Sequence, residues 1–420
     1  MPGRSDAARR GSPGYRLERG RVALAAHPLV ATAAIWLIWL AAVLLTVAIG
    51  IAAGAYRRGI WADHLLFPLF TWDFGWYDTI ALHGYAPHPQ ALPPEALQRY
   101  AFFPLWPWLL RASGRIPDWE FAGALTLAAS ALAFFGLAAS RPDRSRRHVA
   151  LALACWPGSS ALLLAYPDGL ALAAGAWAAA LALRDRLLAA GLVGAVAALA
   201  RPSGFLIALP LAWLAHGKGP RAWAGAAVPM AAAAGVEAFF WERSGAATTF
   251  FDAQKLWGRK GPARFGDWLD HVGGLLERHG LLIGLLAVGA AAAIVLAWRQ
   301  FGFWPTAVVA YAGAVALLLA ATQSLEAFVD SGRAALILPL LVVLWRLGPR
   351  YRPWAAFATA VIALLLLSGT MQSFGRQSLF AFPIFWAIAE GPRWLRLPPL
   401  AVLGFAANLG LVLLLTHFAP

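Results

Sequence analysis

Residues 29–54 read LVATAAIWLIWLAAVLLTVAIGIAAG, an apolar segment without a single charged residue. A helix that crosses a bilayer needs about 20 consecutive apolar residues, so this segment is predicted to be a membrane span. It is much longer than the apolar region of a signal peptide, and we expect it to remain uncleaved. Residues 1–28, which precede it, are predicted to form a basic cytoplasmic tail.

Similar apolar runs recur along the rest of the chain. Of its 420 residues, 60% are hydrophobic and 13% are charged, and the mean hydropathy is +0.64. A soluble domain could not bury so much apolar surface. The sequence therefore predicts an all-α, polytopic membrane protein with about 11–13 transmembrane helices, forming one domain over residues 29–420. The predicted spans are 29–54, 119–139, 149–166, 168–183, 187–200, 204–215, 222–241, 280–297, 305–322, 334–345, 354–369, 379–390 and 398–417.

The charged residues divide unevenly between the two sides that these spans define. With the N-terminus in the cytoplasm, the inner segments contain 20 of the 34 Lys and Arg residues and have a net charge of +15, whereas the outer segments have −1. An excess of Lys and Arg inside is the usual orientation signal of membrane proteins. This excess, which also attracts the inner segments to anionic membrane lipid, accounts for the basic composition. The inner loops are too short to form a nucleic-acid-binding face.

Two outer loops are long, at about residues 55–118 and 242–279. Each contains a short amphipathic stretch, at residues 60–70 and 268–280, which is predicted to lie flat in the membrane interface. Ionisable residues at the ends of spans usually face the interior of a helix bundle or a wet cavity. We therefore expect the polar residues of the outer side to share one cavity. They are Asp73, Asp78, Arg99, Asp168, Arg201, Gln254, Arg259, Arg333 and Arg376.

Asp73 is the best candidate for a catalytic base, because it lies in the first long loop among aromatic residues. A sugar transfer that inverts the anomeric carbon needs one carboxylate to accept a proton. The alternative is that Asp73 is only the N-cap of a helix that starts at Phe74. Arginine binds phosphate with two hydrogen bonds, so Arg201, Arg333 and Arg376 are candidates for a lipid phosphate, with snorkelling to the interface as the alternative.

Other polar and aromatic residues allow two interpretations each. Asp168 could be a site residue or simply part of a Pro-Asp-Gly turn. The aromatic residues of the first loop could stack on a sugar or form an ordinary interfacial belt. The histidines of the two outer loops lack the spacing of a metal site, and Cys155 is the only cysteine, so we expect neither a metal nor a cofactor.

The motifs of the chain resemble a known family. WDFGWYDTIALHGY at residues 72–85, followed by AFFPLWP at residues 101–107, is similar to the PIG-V-type mannosyltransferases and their bacterial relatives, which belong to the GT-C superfamily of polyprenyl-phosphate-sugar-dependent glycosyltransferases. Further motifs follow in the order of that family, over about residues 70 to 390. They are LLAYPDGL at 163–170, ALARPSGFL at 198–206, FFDAQKLWGR at 250–259 and SFGRQSLFAFPIFW at 373–386.

The resemblance implies a multi-span helical fold with catalysis on the extracytoplasmic face of a bacterial plasma membrane. It implies Asp73 as the base, a polyprenyl-phosphate hexose (mannose above all) as the donor, and a glycan or lipid-linked acceptor. The chain departs from the family at Asp168, where Glu is usual, and at Gln377, where Tyr is common. The residues expected to bind substrate are Trp72, Tyr77, Arg99, Tyr100, Asp168, Arg201, Gln254, Trp257, Arg259, Arg333 and Arg376.

Two other classes of protein compete with an enzyme. A transporter or flippase of a lipid-linked sugar would have charged residues and broken helices near the middle of the membrane, often in inverted repeats. The polar residues here are predicted at the outer face, and no repeat is evident in the sequence. A non-catalytic membrane scaffold would have little need for an acid among aromatic residues together with several arginines on one face.

Overall fold

The structure is a computed structural model that describes residues 28–52, 70, 73–114, 119–141, 143–259, 277, 337–368 and 373–391. In these ranges the secondary structure is helical and contains no strand, which confirms the predicted all-α class. The α-helices are α1 (Pro28–Ala52), α2 (Phe74–His83), α3 (Pro94–Gln98), α4 (Leu105–Arg111), α5 (Trp119–Ala139), α6 (Asp143–Ala154), α7 (Asp168–Ala182), α8 (Leu187–Ala200), α9 (Ala208–Ala215), α10 (Pro220–Ser244), α11 (Thr249–Leu256), α12 (Ile337–Arg346), α13 (Arg352–Leu366), α14 (Phe374–Gln377) and α15 (Pro383–Glu390).

Three of the described helices, α1, α5 and α10, are long and apolar enough to cross a membrane. They correspond to the predicted spans at 29–54, 119–139 and 222–241. Shorter apolar helices follow the same pattern, because α7, α8, α12 and α13 lie where spans were predicted. The predicted spans at 280–297, 305–322 and 398–417 lie outside the described residues, as do most of the two amphipathic stretches.

The predicted continuous span at 149–166 is wrong. Helix α6 ends at Ala154, and a separate 3₁₀-helix runs from Ser159 to Leu163. Between them lies Pro157, which cannot donate the hydrogen bond that a helix needs. The next residue, Gly158, adopts φ 110°, a conformation that disfavours residues with a side chain. This break turns the chain back before it reaches Asp168.

The predicted span at 204–215 corresponds to one continuous apolar helix, in which the 3₁₀-helix Pro202–Ile207 leads directly into α9. The predicted span at 379–390 is interrupted, because the 3₁₀-helix Ser378–Phe380 ends before α15 begins at Pro383. A proline begins the 3₁₀-helix at 202 and α15 at 383, and proline is well accommodated in the first turn of a helix but not inside one.

Helix α7 lies at the centre of the described structure. It packs against α5, α8 and the 3₁₀-helix Ser378–Phe380, and most of its residues are buried alanines. Helices α8 and α10 approach so closely that a Cβ atom on Gly191 would lie 1.9 Å from the carbonyl oxygen of Gly225. Small residues allow such backbone contact, which favours packing between apolar helices. One connected cluster of buried apolar side chains extends from Trp39 to Ala389.

The charged residues between these helices lie at two opposite ends of the bundle. Helix α7 begins at Asp168 and leads to Asp185, and α8 returns the chain to Arg201. At the Asp185 end, Lys218 pairs with Asp185 and Arg141 pairs with Glu390. These residues were all assigned to the cytoplasmic side from the sequence, and those at the Asp168 end were assigned to the outer side. The two groups are therefore separated in space as the charge pattern predicted.

Candidate functional site

Asp73 lies at the N-cap position of α2, as its alternative interpretation required, but its side chain makes no capping hydrogen bond. Its main-chain carbonyl begins the helix by accepting hydrogen bonds from Trp76 and Tyr77. Its carboxylate instead forms an ion pair with Arg376, at 2.7 Å from the guanidinium nitrogen. The carboxylate is thus held by a residue from a distant segment, and capping does not account for it.

Asp168 is the first residue of α7, and its side chain is only 4% exposed. It forms an ion pair and a hydrogen bond with Arg201, the residue that directly follows α8. Pro202 begins a new helical turn there, which leaves Arg201 in an extended conformation between the two helices. Asp168 is therefore part of a buried charge pair at the start of a helix rather than a residue of a free turn.

Arg376 connects the two acids. It lies in α14, a single helical turn, and its guanidinium group contacts Asp73 at 2.7 Å and Asp168 at 3.8 Å. Burial by itself disfavours the charged form of Arg376, but the negative charges of Asp73 and Asp168 outweigh it and raise its pKa. Three segments that are far apart in the sequence thus form one network, Asp73–Arg376–Asp168–Arg201.

This network lies in a cavity of about 100 Å³, several times the volume that one water molecule needs. The four residues of the network all line it, together with Arg259, which follows α11. Three uncharged side chains that were predicted to bind substrate also line it, namely Tyr77, Gln254 and Trp257. Six of the nine polar residues that were expected to share one cavity therefore do so, whereas Asp78 and Arg99 do not line it.

Three arginines and two aspartates line the cavity, which gives these residues a net charge of +1. Arg201 and Arg376 face the two acids, whereas Arg259 has no acidic partner among the described residues. Burial, together with the nearby cations Arg376 and Arg201, lowers the pKa of Arg259 to about 10. Arg259 is therefore still charged at neutral pH, in a place where burial and the two nearby cations outweigh the attraction of Asp73, and an anion would relieve that cost.

Tyr77 provides a neutral polar group beside the acids. Burial, reinforced by the charges of Asp73 and Asp168, raises the pKa of Tyr77 well above its usual value. The phenol therefore keeps its proton throughout the physiological range and can act as a hydrogen-bond donor. Its ring packs edge-on against Phe102, with 5.1 Å between the ring centroids.

An aromatic wall made of Trp76, Phe102 and Trp257 lies beside the cavity, and Phe102 and Trp257 line it. The rings of Trp76 and Phe102 stack with an interplanar angle of 12°, and Trp257 meets both edge-on at 5.6 and 5.5 Å. The indole Nε1 of Trp257 is buried and has no hydrogen-bond partner in the described structure. A buried donor without a partner is costly, and a hydroxyl or phosphate oxygen in the cavity would satisfy it.

Hydrogen bonds between loops hold this wall in place. Tyr85 donates to the carbonyl of Phe102 at 2.6 Å, and Gln254 donates to that of Ala101 at 3.2 Å. Trp106 donates to the carbonyl of Ala165 at 2.9 Å. The segment between α1 and α5, helix α11 and the segment before Asp168 are thus joined around the cavity.

Three predicted residues are placed differently, and two lie outside the described residues. Asp78 is part of α2 and does not line the cavity. Arg99 does not line the cavity and donates to the carbonyl of Gly84 at 3.3 Å, and Tyr100 is fully buried and donates to that of Ala86 at 2.6 Å. Both stabilise the first loop internally. Trp72 and Arg333 lie outside the described residues.

Three residues at the site were not predicted from the sequence. Ser373 and Gln377 flank Arg376 closely in the chain and line the cavity with it. Tyr166 contacts both Asp73 and Arg376. All three belong to motifs that the sequence had already singled out, and their nearness to Asp168 or Arg376 was the available signal.

No protein-family model matches this sequence, and no curated protein matches it. Among solved structures, the chain is similar to the crystal structure of the Archaeoglobus fulgidus oligosaccharyltransferase in complex with zinc and sulfate. That likeness has a TM-score of 0.40 at 15% sequence identity and covers 90% of this chain and 53% of the other. This chain thus spans about half the length of that protein.

Proposed function

We propose that the protein is an integral-membrane glycosyltransferase that moves a hexose from a polyprenyl-phosphate donor to a lipid-linked or cell-envelope acceptor. The observation that carries the proposal is one cavity that combines a carboxylate with surplus positive charge at one end of a membrane helix bundle. The reaction needs both, because the acceptor hydroxyl must lose a proton while the lipid phosphate departs as an anion.

The departing phosphate would be bound by Arg259 and Arg376. Arg259 has a charge without an acidic partner among the described residues, and Arg376 lies beside it in the same cavity. Guanidinium groups bind phosphate oxygens with paired hydrogen bonds. Arg201, which is already paired with Asp168, would contribute positive potential and hold Asp168 in place.

Asp73 would be the general base. Its carboxylate is occupied by the ion pair with Arg376. A donor phosphate would compete with Asp73 for Arg376, so that donor binding releases the carboxylate to accept the proton of the acceptor hydroxyl. Attack of that oxygen on the anomeric carbon breaks the bond to the phosphate, and the product has the inverted configuration. No covalent sugar intermediate is needed.

The resemblance of the sequence motifs supports mannose as the transferred sugar and the extracytoplasmic face of a bacterial plasma membrane as the place of reaction. The aromatic wall supports a sugar ring in the cavity, because aromatic faces pack well against the apolar face of a hexose. Trp257 and Gln254 lie where they could donate hydrogen bonds to sugar hydroxyls.

The test is transfer from radiolabelled polyprenyl-phosphate mannose to acceptors in a native membrane extract, with wild type and Asp73→Asn compared. The substitution keeps the shape of the side chain and removes the base, so transfer should fall by about 10²–10⁴-fold. Asp78→Asn is the matched control, because Asp78 lies on the same helix α2 but does not line the cavity.

The control variant should keep nearly the wild-type rate. Transfer at the wild-type rate by a well-folded Asp73→Asn protein would refute the role of Asp73. Absence of transfer by the wild-type protein, with its donor and extract shown to be active, would refute the proposed reaction with mannose.

A further inference from the structure

Tyr166 makes a direct hydrogen bond to the proposed base residue. The main-chain N–H of Asp73 donates to the hydroxyl oxygen of Tyr166 at 3.0 Å. This contact lies at the start of α2, where the first N–H groups of a helix lack partners within the helix. It fixes the backbone from which the Asp73 side chain extends.

The ring of the same tyrosine lies beneath Arg376. The Cζ atom of the guanidinium group is 4.7 Å from the centroid of the Tyr166 ring, within the range of a favourable cation–π contact. Arg376 in turn contacts Asp73 at 2.7 Å. One side chain thus contacts both members of the ion pair, with its hydroxyl on one and its ring on the other.

Tyr166 is buried, and the backbone around it is hydrogen-bonded. It is 2% exposed, and its own N–H donates to the carbonyl of Leu164 at 2.6 Å. Trp106 fixes the preceding residue, Ala165, through its carbonyl. Tyr166 is not among the residues that line the described cavity, so its influence on a substrate would have to pass through Asp73 and Arg376.

We infer that Tyr166 is a positioning residue that fixes the base and the phosphate-binding arginine relative to each other, the hydroxyl acting on Asp73 and the ring on Arg376. The inference rests on the proposed function and adds a separation of roles within one side chain. The hydroxyl should affect the rate of transfer, and the ring should affect the binding of the phosphate.

Two substitutions separate these roles. Tyr166→Phe removes the hydroxyl and keeps the ring, so transfer should slow by roughly three- to tenfold, while binding of citronellyl phosphate, a short prenyl phosphate, stays within about twofold of wild type. Tyr166→Leu also removes the ring and should weaken binding of that probe by roughly three- to thirtyfold. Transfer is measured with radiolabelled polyprenyl-phosphate mannose, and binding by calorimetry on the purified protein in detergent.

Tyr351 offers a matched control at the opposite end of the bundle. It is also a buried tyrosine, its hydroxyl bonds to Glu390, and Arg141 lies 5.3 Å from its ring centroid. Tyr351→Phe and Tyr351→Leu remove the same kinds of contact far from the cavity. They should lower the melting temperature without changing either transfer or affinity for the probe.

The outcome is read from the two measurements together. The inference is supported if Tyr166→Phe keeps the wild-type affinity for the probe, Tyr166→Leu loses affinity, and both variants transfer sugar more slowly than wild type. If the Tyr166 and Tyr351 variants differ from wild type only in melting temperature, or if Phe loses binding as severely as Leu, the positioning role is refuted and the proposed function stands. If wild type neither binds the probe nor transfers sugar, the proposed function fails and the positioning role fails with it.

Discussion

Arg259 differs from the other arginines of the cavity in having no acidic partner among the described residues. A charge without compensation in a buried place destabilises the folded protein, and such residues are kept where function needs them. Arg376 differs from Arg259, because its removal would leave Asp73 without its ion-pair partner. The two arginines should therefore respond differently to the same substitution.

Arg259→Gln should weaken binding of citronellyl phosphate and slow transfer by tens- to several hundred-fold, since a lost charge-assisted contact costs about 2–4 kcal/mol. Its melting temperature should stay the same or rise, because repulsion from Arg376 and Arg201 is relieved. Arg376→Gln should lower both activity and melting temperature. Unchanged binding and transfer in Arg259→Gln would mean that the phosphate is held elsewhere.

Asp78 provides a prediction about pH. Burial raises the pKa of Asp78, although His83 opposes the shift. Folding therefore favours the protonated carboxyl, and that stabilisation is complete below the usual Asp pKa of about 3.9 and is lost as pH rises through the higher folded value. Asp78→Asn is neutral at every pH, so it should raise the melting temperature at neutral pH and have little effect in acid. An equal shift of the melting temperature at neutral pH and in acid would contradict this explanation.

Much of the site was predictable at this scale, and the reason is chemical. An ionisable residue at the end of an apolar span, or within a motif of a long loop between spans, carries a strong signal, so Asp73, Asp168, Arg201, Arg259 and Arg376 were all found from the sequence. The pairing among them was not predictable, because it depends on how separate helices pack. Arg99 and Tyr100 were predicted to bind substrate but do not line the cavity. Their side chains instead form hydrogen bonds to backbone carbonyls of their own loop.

At the scale of the helices, apolar length predicted α5 and α8 with the bounds that the structure has. The same criterion failed at 149–166, because hydropathy does not register a break such as Pro157–Gly158. The interruptions matter for function. The break before α7 places Asp168 in the first turn of that helix, and the break after α8 places Arg201 in an extended conformation, so that the two side chains meet in the cavity.

The contact between α8 and α10 leads to a prediction about stability. In Gly191→Ala, the new methyl group would lie 1.9 Å from the carbonyl oxygen of Gly225, which is backbone and cannot turn aside. Overpacking of this kind costs about 1–3 kcal/mol, so the melting temperature should fall. Activity should fall as well, because α8 carries Arg201 at its end.

Gly235→Ala is the control for that change. Gly235 lies on α10, the helix that also contains Gly225, but no atom lies within 4 Å of the position that its Cβ would occupy. Alanine favours a helix over glycine by up to about 1 kcal/mol, so this variant should be as stable as wild type or more so. Similar melting temperatures for the two variants would show that the close approach of α8 and α10 does not limit stability.

For the molecule as a whole, the two charged ends predict an orientation in the membrane. In a Cys155→Ser background, a cysteine at Arg350 should react with an impermeant thiol reagent only from the cytoplasm, and one at Gln90 only from outside. Both positions are exposed, and they lie in segments that the charge pattern assigns to opposite sides. Labelling of position 90 from the cytoplasm would overturn both the orientation and the proposed face of reaction.

The distribution of charge also bears on the choice between an enzyme and a transporter. A carrier of a lipid-linked sugar needs its binding groups near the middle of the membrane, where both faces can reach them in turn. The charged network described here lies at one end of the bundle, and the Arg141–Glu390 pair lies at the other. This arrangement favours a reaction at a single face.

The pair Asp73–Arg376 joins residues made at very different times during synthesis. Asp168 and Arg201 emerge close together and can pair early, but Asp73 must wait until the ribosome has added about 300 more residues, which takes roughly 15–60 s. Throughout that interval the partner that its carboxylate has in the folded structure is absent. Its place just before the short helix α2, between α1 and α5 rather than within either, keeps it within reach of water until Arg376 arrives, and the long delay costs the inserting chain little.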